Sequence, residues 1–201
     1  MGYLRYAVDS SIRVFMRELS SLRLLIINAA VPIMVLSIYR ALSGVFMGYV
    51  VSLVPEVGYY IRPIVINAVS FMNNTMYFIA VSSVIASIVT SVFIINGLVR
   101  GWRDDLRAVY NLYRSRAGVF IYVITVLLLS SLYSYVIGVS ISVSLALIVL
   151  KTLSSLGVLP LVSYSINVVG TALAVLPLLA IMAVTYVVAG VLGVVRRDLT
   201  P

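Results

Sequence analysis

Four long stretches of this chain carry no ionised side chain, and that leaves the backbone few places to go. Residues 117–150 make 34 uncharged positions in a row, and residues 152–195 make 44. A hydrocarbon core of about 30 Å is crossed by about 20 apolar residues in a helix. Lipid offers the backbone no hydrogen bonds, so each crossing segment must satisfy its own. The chain is therefore predicted to be all-α, a polytopic membrane protein with four transmembrane helices. Composition agrees: 10% of residues are charged, against about 25% in a soluble domain.

Apolar periodicity and turn residues divide the chain further. Leu4, Val8, Ile12, Phe15, Leu19 and Leu22 recur at steps of four and three, one face of a helix. Arg5, Asp9, Arg13 and Arg17 line a neighbouring face, so residues 3–22 are predicted to form a basic amphipathic helix along the headgroups. Four arginines ahead of the first span predict an uncleaved anchor rather than a removable signal. Span one is expected over 24–46, or as a longer helix toward Val54, with Arg40 near the outer boundary because burying it at the bilayer centre costs about 2.5–3.5 kcal/mol. Residues 48–74 hold Pro55, Glu56, Gly58, Arg62 and Pro63 and are read as a small external element. Spans two, three and four are placed at 75–99, 117–150 and 163–195. The third is long enough that it must tilt, break near Gly138 or project. Pro177 predicts a kink in the fourth. Lys151 to Pro160 supplies the turn between them.

Eleven of the fourteen basic residues fall before span one, in the 100–116 link, or in the tail. The positive-inside rule then predicts a multi-pass cell-membrane protein with both termini cytoplasmic. The net charge of +8 reads as topology and not as affinity for nucleic acid, because it forms no separate basic domain. The whole chain, 1–201, reads as one transmembrane domain.

The chemistry-bearing residues are sparse. There is no cysteine and no histidine, which removes thiolate sites, the commonest metal ligand and the usual general base. All six acidic residues lie outside the predicted spans, so the carboxylate a proton- or ion-coupled carrier normally keeps in the membrane is missing. No phosphate-cradling Gly-x-x-x-x-Gly-Lys run occurs, and the single lysine is Lys151. The expectation is a protein that is not an enzyme, with no cofactor, no metal and no catalytic residue of its own.

Two patterns remain. Ser130, Ser134, Gly138, Ser142 and Ala146 make a ridge of small residues at four-residue spacing on span three, and Ser83, Ser87 and Ser91 a shorter one on span two. Such ridges let helices approach closely in lipid, either within one bundle or between subunits of a homo- or hetero-oligomer. In the link, Trp102, Leu106, Val109 and Tyr113 share one face, with Asp104 and Asp105 at its start and Arg107, Arg114 and Arg116 toward its end, as the helix dipole favours. This is either an interfacial helix that fixes the hairpin or a docking helix for a soluble partner, with Trp102 and Tyr110 as anchors.

The order of elements resembles the transmembrane permease subunits of the FtsX/MacB class of ABC transporters. The matching stretches are Ser11-Ile-Arg-Val-Phe-Met-Arg-Glu-Leu before span one and Arg100-Gly-Trp-Arg-Asp-Asp-Leu-Arg-Ala-Val-Tyr before span three, the latter leading into Ser115-Arg116-Ala117-Gly118. The chain departs from that class in its external element, which is much reduced. The resemblance implies a non-catalytic subunit driven by a separate cytoplasmic ATPase docking at the 100–116 helix, through Trp102, Arg103, Leu106, Arg107, Val109, Tyr110 and Tyr113. The alternatives are a structural or assembly subunit of a larger membrane complex without an ATPase, and a small channel or carrier.

Overall fold

A computed structural model of the chain describes residues 12, 13, 15–53, 62–113, 116–156 and 166–196. These residues are all-helical, with no strand among them, and four of their helices are long and apolar enough to cross a membrane. The helices are α1 (Leu19–Leu53), α2 (Arg62–Gly101), α3 (Arg103–Tyr113), α4 (Arg116–Ser155) and α5 (Val168–Val195). The protein is a multi-pass helical membrane protein. Side chains such as Phe71, Phe78 and Phe93 are more than 70% exposed, a surface that in water would be a large apolar patch and in lipid is ordinary.

Several boundaries differ from the sequence-based ones. Residues 12, 13 and 15–17 are helical, but the chain turns at Glu18 and α1 starts at Leu19, so Leu19 and Leu22 belong to α1 and not to the leading helix. The cause is local: the Glu18 carbonyl accepts the Ser21 and Leu22 N–H groups at 3.0 Å, and its carboxylate accepts the Ser21 hydroxyl at 3.0 Å. Leu4, Arg5, Val8 and Asp9 lie outside the described residues. Residues 48–53 and 62–74 do not form a separate element. They prolong α1 and α2, and 54–61 lies outside the described residues. Pro63 sits in the first turn of α2, where its missing N–H costs nothing. Helix α4 runs unbroken through Gly138 and carries Lys151 and Ser155 in its last turns. At 1.5 Å per residue it is about 60 Å long, twice the hydrocarbon thickness. The remaining turn residues, 157–165, lie outside the described residues; Asn167 then starts α5, its Oδ1 accepting the Gly170 N–H at 2.7 Å.

The chain divides into two compact units. One comprises Met1–Ala30, Ala86–Val136 and Pro177–Pro201, and the other Val31–Ile85 and Ile137–Leu176. In the first, each helix contributes a buried stripe. Ser87, Ser91, Ile95, Val99, Trp102 and Leu106 follow one another at steps of three or four through α2 and into α3, and Leu178, Met182, Tyr186, Gly190 and Val194 do so along α5. At Gly190 the α5 backbone lies close against α4: a Cβ there would collide with the Leu127 Cδ1 methyl and stand 3.0 Å from Val123 Cγ1. Leu127 and Val123 are fully buried and have nowhere to retreat. A Cβ at Gly193 would instead meet Asn96 and Val99 at 3.5 Å, ordinary contact.

In the second unit small and large side chains are buried together. Ile33, Ser37 and Ala41 are buried on α1, Ala80 on α2, Gly138, Ser142, Ala146 and Leu150 on α4, and Thr171 and Val175 on α5. The Ser37 hydroxyl is buried there with no hydrogen-bond partner among the described residues.

Gly190→Val is expected to lower stability by about 1–3 kcal/mol through overpacking. Gly193→Ala is expected to be neutral or to gain up to about 1 kcal/mol from helix propensity. Thermal unfolding of both variants in mild detergent checks the pair; equal effects would contradict the close approach at Gly190.

Candidate functional site

The groups with hydrogen-bonding chemistry inside the first unit converge on Asn28. Its side chain projects from α1 toward α2, where Nδ2 donates to the Ser87 carbonyl at 2.9 Å and to Ser91 Oγ at 2.9 Å. Its Oδ1 accepts the Thr90 hydroxyl at 2.8 Å. The backbone of Asn28 takes part as well. Four residues on stands Pro32, inside α1, which has no N–H to give to the Asn28 carbonyl. The Ser87 hydroxyl takes that place at 2.7 Å. Ser87 and Ser91 are buried, so the amide, the carbonyl freed by proline and the two hydroxyls satisfy one another. A third helix joins through Tyr186 of α5, fully buried, whose hydroxyl donates to the Leu25 carbonyl at 3.2 Å.

Sequence reasoning singled out Ser83, Ser87 and Ser91 but missed Asn28, Thr90 and Tyr186. The signal was present as Asn28-Ala-Ala-Val-Pro32: a polar side chain four residues before a proline sits beside the carbonyl that the proline orphans. Ser83 does not join the cluster; its hydroxyl bonds to the Ala80 carbonyl of its own helix.

The α4 ridge is buried within the chain. In the first unit Ser130 and Ser134 return their hydroxyls to the carbonyls of Val126 and Ser130, at 2.8 and 2.7 Å. In the second, Ser142 bonds to the Val139 carbonyl at 2.7 Å, and Gly138 and Ala146 are buried. All five positions of the ridge are buried.

The link helix is arranged differently from a free docking surface. Helical hydrogen bonding runs through the turn at Trp102, whose N–H reaches the Leu98 carbonyl at 2.9 Å and whose carbonyl accepts the Leu106 N–H at 2.8 Å. Trp102 is 4% exposed and stands edge-on to Tyr122 of α4, with centroids 6.5 Å apart; Leu106 is fully buried. These two residues, expected among the docking residues, are core residues of the first unit and are closed to a soluble partner. The apolar stripe that marks them out is the side that α3 turns inward. Val109 and Tyr110 are half-buried, while Arg103 and Arg107 are exposed, as are Asp104 and Asn111 beside them. The side chain of Tyr113, and Arg114, lie outside the described residues.

Two further contacts bring the leading segment to the same unit. Phe15 is buried edge-on against Tyr133 of α4 at 6.2 Å. Arg17 bridges Glu18 at 3.2 Å and Asp105 of α3 at 3.5 Å. That bridge is solvent-exposed and contributes roughly 0–1 kcal/mol; its effect is to orient α3 against the start of α1.

Between α1 and α2 lies an open groove of about 460 Å³. Glu18 and Leu24 border it on one side, and Gly97, Leu98, Gly101 and Trp102 on the other. A Cβ added at Gly97 or Gly101 would meet nothing within 4 Å, so the two glycines are the floor of real open space.

No match to this chain is found among protein-family models, curated proteins or solved structures.

Asn28→Leu is expected to cost about 1–2 kcal/mol, since interhelical hydrogen bonds in membranes contribute roughly 0.6 kcal/mol each and up to about 1.7. Ser91→Ala in the Asn28→Leu background should then cost less than Ser91→Ala alone. Thermal unfolding of the four members of this cycle reads the coupling, and strict additivity would mean that the two side chains do not act together.

Proposed function

We propose that the chain is the non-catalytic, membrane-spanning subunit of an ABC-type transporter or mechanotransmission complex, with a separate ATPase docking on the cytoplasmic face at α3. The observation that carries this reading is the division of α3 into two sides. Trp102 and Leu106 anchor one side in the unit formed with α1, α4 and α5, while Arg103 and Arg107 leave the other charged and open. A helix held in this way passes any push on its outer side to the helices it is packed against, because a close-packed interior transmits displacement. The Arg17–Asp105 bridge ties the same helix to the start of α1. The docking surface is then Arg103, Arg107 and their neighbours Tyr110 and Asn111, rather than the tryptophan.

The resemblance in element order to the FtsX/MacB class supports the reading. So does the placement of eleven of fourteen basic residues in the leading segment, link and tail, the distribution that the positive-inside rule expects of a cytoplasmic link. Chemistry in this account belongs to the partner, and the chain's own contribution is mechanical.

A second reading, a structural subunit of a larger membrane assembly, is favoured by α2. Only 22% of its spanning window is buried, leaving a broad apolar face for another membrane-embedded chain.

Purification of the tagged full chain in mild detergent separates the two. The first reading expects a co-purifying ATPase whose recovery falls about tenfold or more in Arg103→Glu/Arg107→Glu, the loss expected on reversing charge at an interface hot spot. The variant should unfold at the wild-type temperature, since both side chains are exposed. Recovery with membrane-embedded partners alone, unaffected by the double variant, would sink the ATPase reading in favour of the second.

A further inference from the structure

In the first unit the polar side chains of α1, α2 and α5 bond from helix to helix, while the buried serines of α4 bond to α4. Asn28 of α1 donates to Ser87 and Ser91 of α2 and accepts from Thr90, and the Ser87 hydroxyl completes the Asn28 carbonyl. Tyr186 of α5 donates to the Leu25 carbonyl of α1. On α4 the hydroxyls of Ser130, Ser131 and Ser134 return instead to the carbonyls of Val126, Leu128 and Ser130. The contacts that α4 makes with its neighbours are apolar or aromatic: Val123 and Leu127 against Gly190 of α5, and Tyr122 against Trp102.

The two kinds of contact respond differently to displacement in hydrocarbon. Parting Asn28 from α2 strands an amide, a carbonyl and hydroxyls where no water can satisfy them. Sliding one apolar face over another exchanges side-chain contact for lipid contact of similar character, and packed helices shift in this way by about 1–2 Å. We infer that within this unit α1, α2 and α5 form a frame that moves as one piece, and that α4 is the helix that shifts against it. Tyr122, edge-on to Trp102 at the start of α3, is where a displacement of α3 reaches the moving helix. This adds to the mechanical reading above which helix responds. It is tested without an ATPase, so either can fail while the other stands.

The chain has no cysteine, so spin labels enter only where they are placed. Ile27→Cys on α1, Val89→Cys on α2, Leu128→Cys on α4 and Val188→Cys on α5 use exposed positions of the unit. Full chains labelled in pairs are reconstituted in dimyristoyl or dierucoyl phosphatidylcholine, because a change of bilayer thickness strains the spans without any ligand. Pulsed electron resonance should find the distances among positions 27, 89 and 188 equal in the two lipids. Distances from position 128 to each of them should shift by about 1–2 Å or more. Asn28→Leu, which removes the tie, should make the 27–89 distance follow thickness as well. Ser87→Ala, which removes only the cap on the Asn28 carbonyl, should do so to a smaller extent. A wild-type 27–89 distance that shifts with thickness, position-128 distances that stay fixed, or a 27–89 distance indifferent to both variants would each overturn the division into frame and moving helix.

Discussion

In hydrocarbon a helix gains nothing by hiding leucine from its surroundings, since the surroundings are as apolar as leucine. What holds helices together there is close contact between small side chains and the satisfaction of polar groups that lipid cannot solvate. The Asn28 cluster meets the second requirement. Pro32 removes an N–H from the backbone of α1 and orphans the Asn28 carbonyl, and the Ser87 hydroxyl on α2 completes it. The same asparagine spends both of its amide protons on α2. A proline that would weaken a lone helix therefore joins two.

The first requirement is met by the small residues. Gly190 of α5 brings its backbone against Leu127 and Val123, and Ser130 and Ser134 of α4 are buried with their hydroxyls folded back onto their own helix. A serine in this state presents a surface little larger than alanine to its neighbour. In the second unit Ser37, Ala41, Ala80, Ser142 and Ala146 are buried, and so are Ile33, Leu150 and Val175. Dense packing of this sort leaves the outer faces free of structural duty, and they are covered with large apolar side chains suited to lipid.

Against this background α3 stands out as the element whose outer side is not apolar. Its hydrogen bonding continues that of α2 through Trp102, and its inner side is embedded as firmly as any span. It combines a charged, exposed outer side with a buried inner one. The groove between α1 and α2 is bordered by the same tryptophan.

Much of this was legible without coordinates. Uncharged stretches 34 and 44 residues long force helices across a bilayer whatever their packing, and the four-residue spacing of Ser130, Ser134, Gly138, Ser142 and Ala146 marks a close-packed face directly. The amphipathic pattern of α3 was equally plain, but periodicity tells only that one side is apolar. It does not tell what that side meets, and Trp102 and Leu106 proved to be core residues instead of an exposed anchor. Helix ends were hard to place for a related reason: Pro63 and Gly138 look like breaks in a sequence, yet one sits harmlessly in a first turn and the other in an unbroken helix. Asn28 escaped notice because its role depends on Ser87 and Ser91, some 60 residues away along the chain. Sequence alone determined that lipid is the solvent and helices the only answer to it, since those follow from each segment's own backbone. Which faces pair, and which polar groups complete one another, was decided only in three dimensions, because an orphaned carbonyl is satisfied by whatever donor the fold brings beside it.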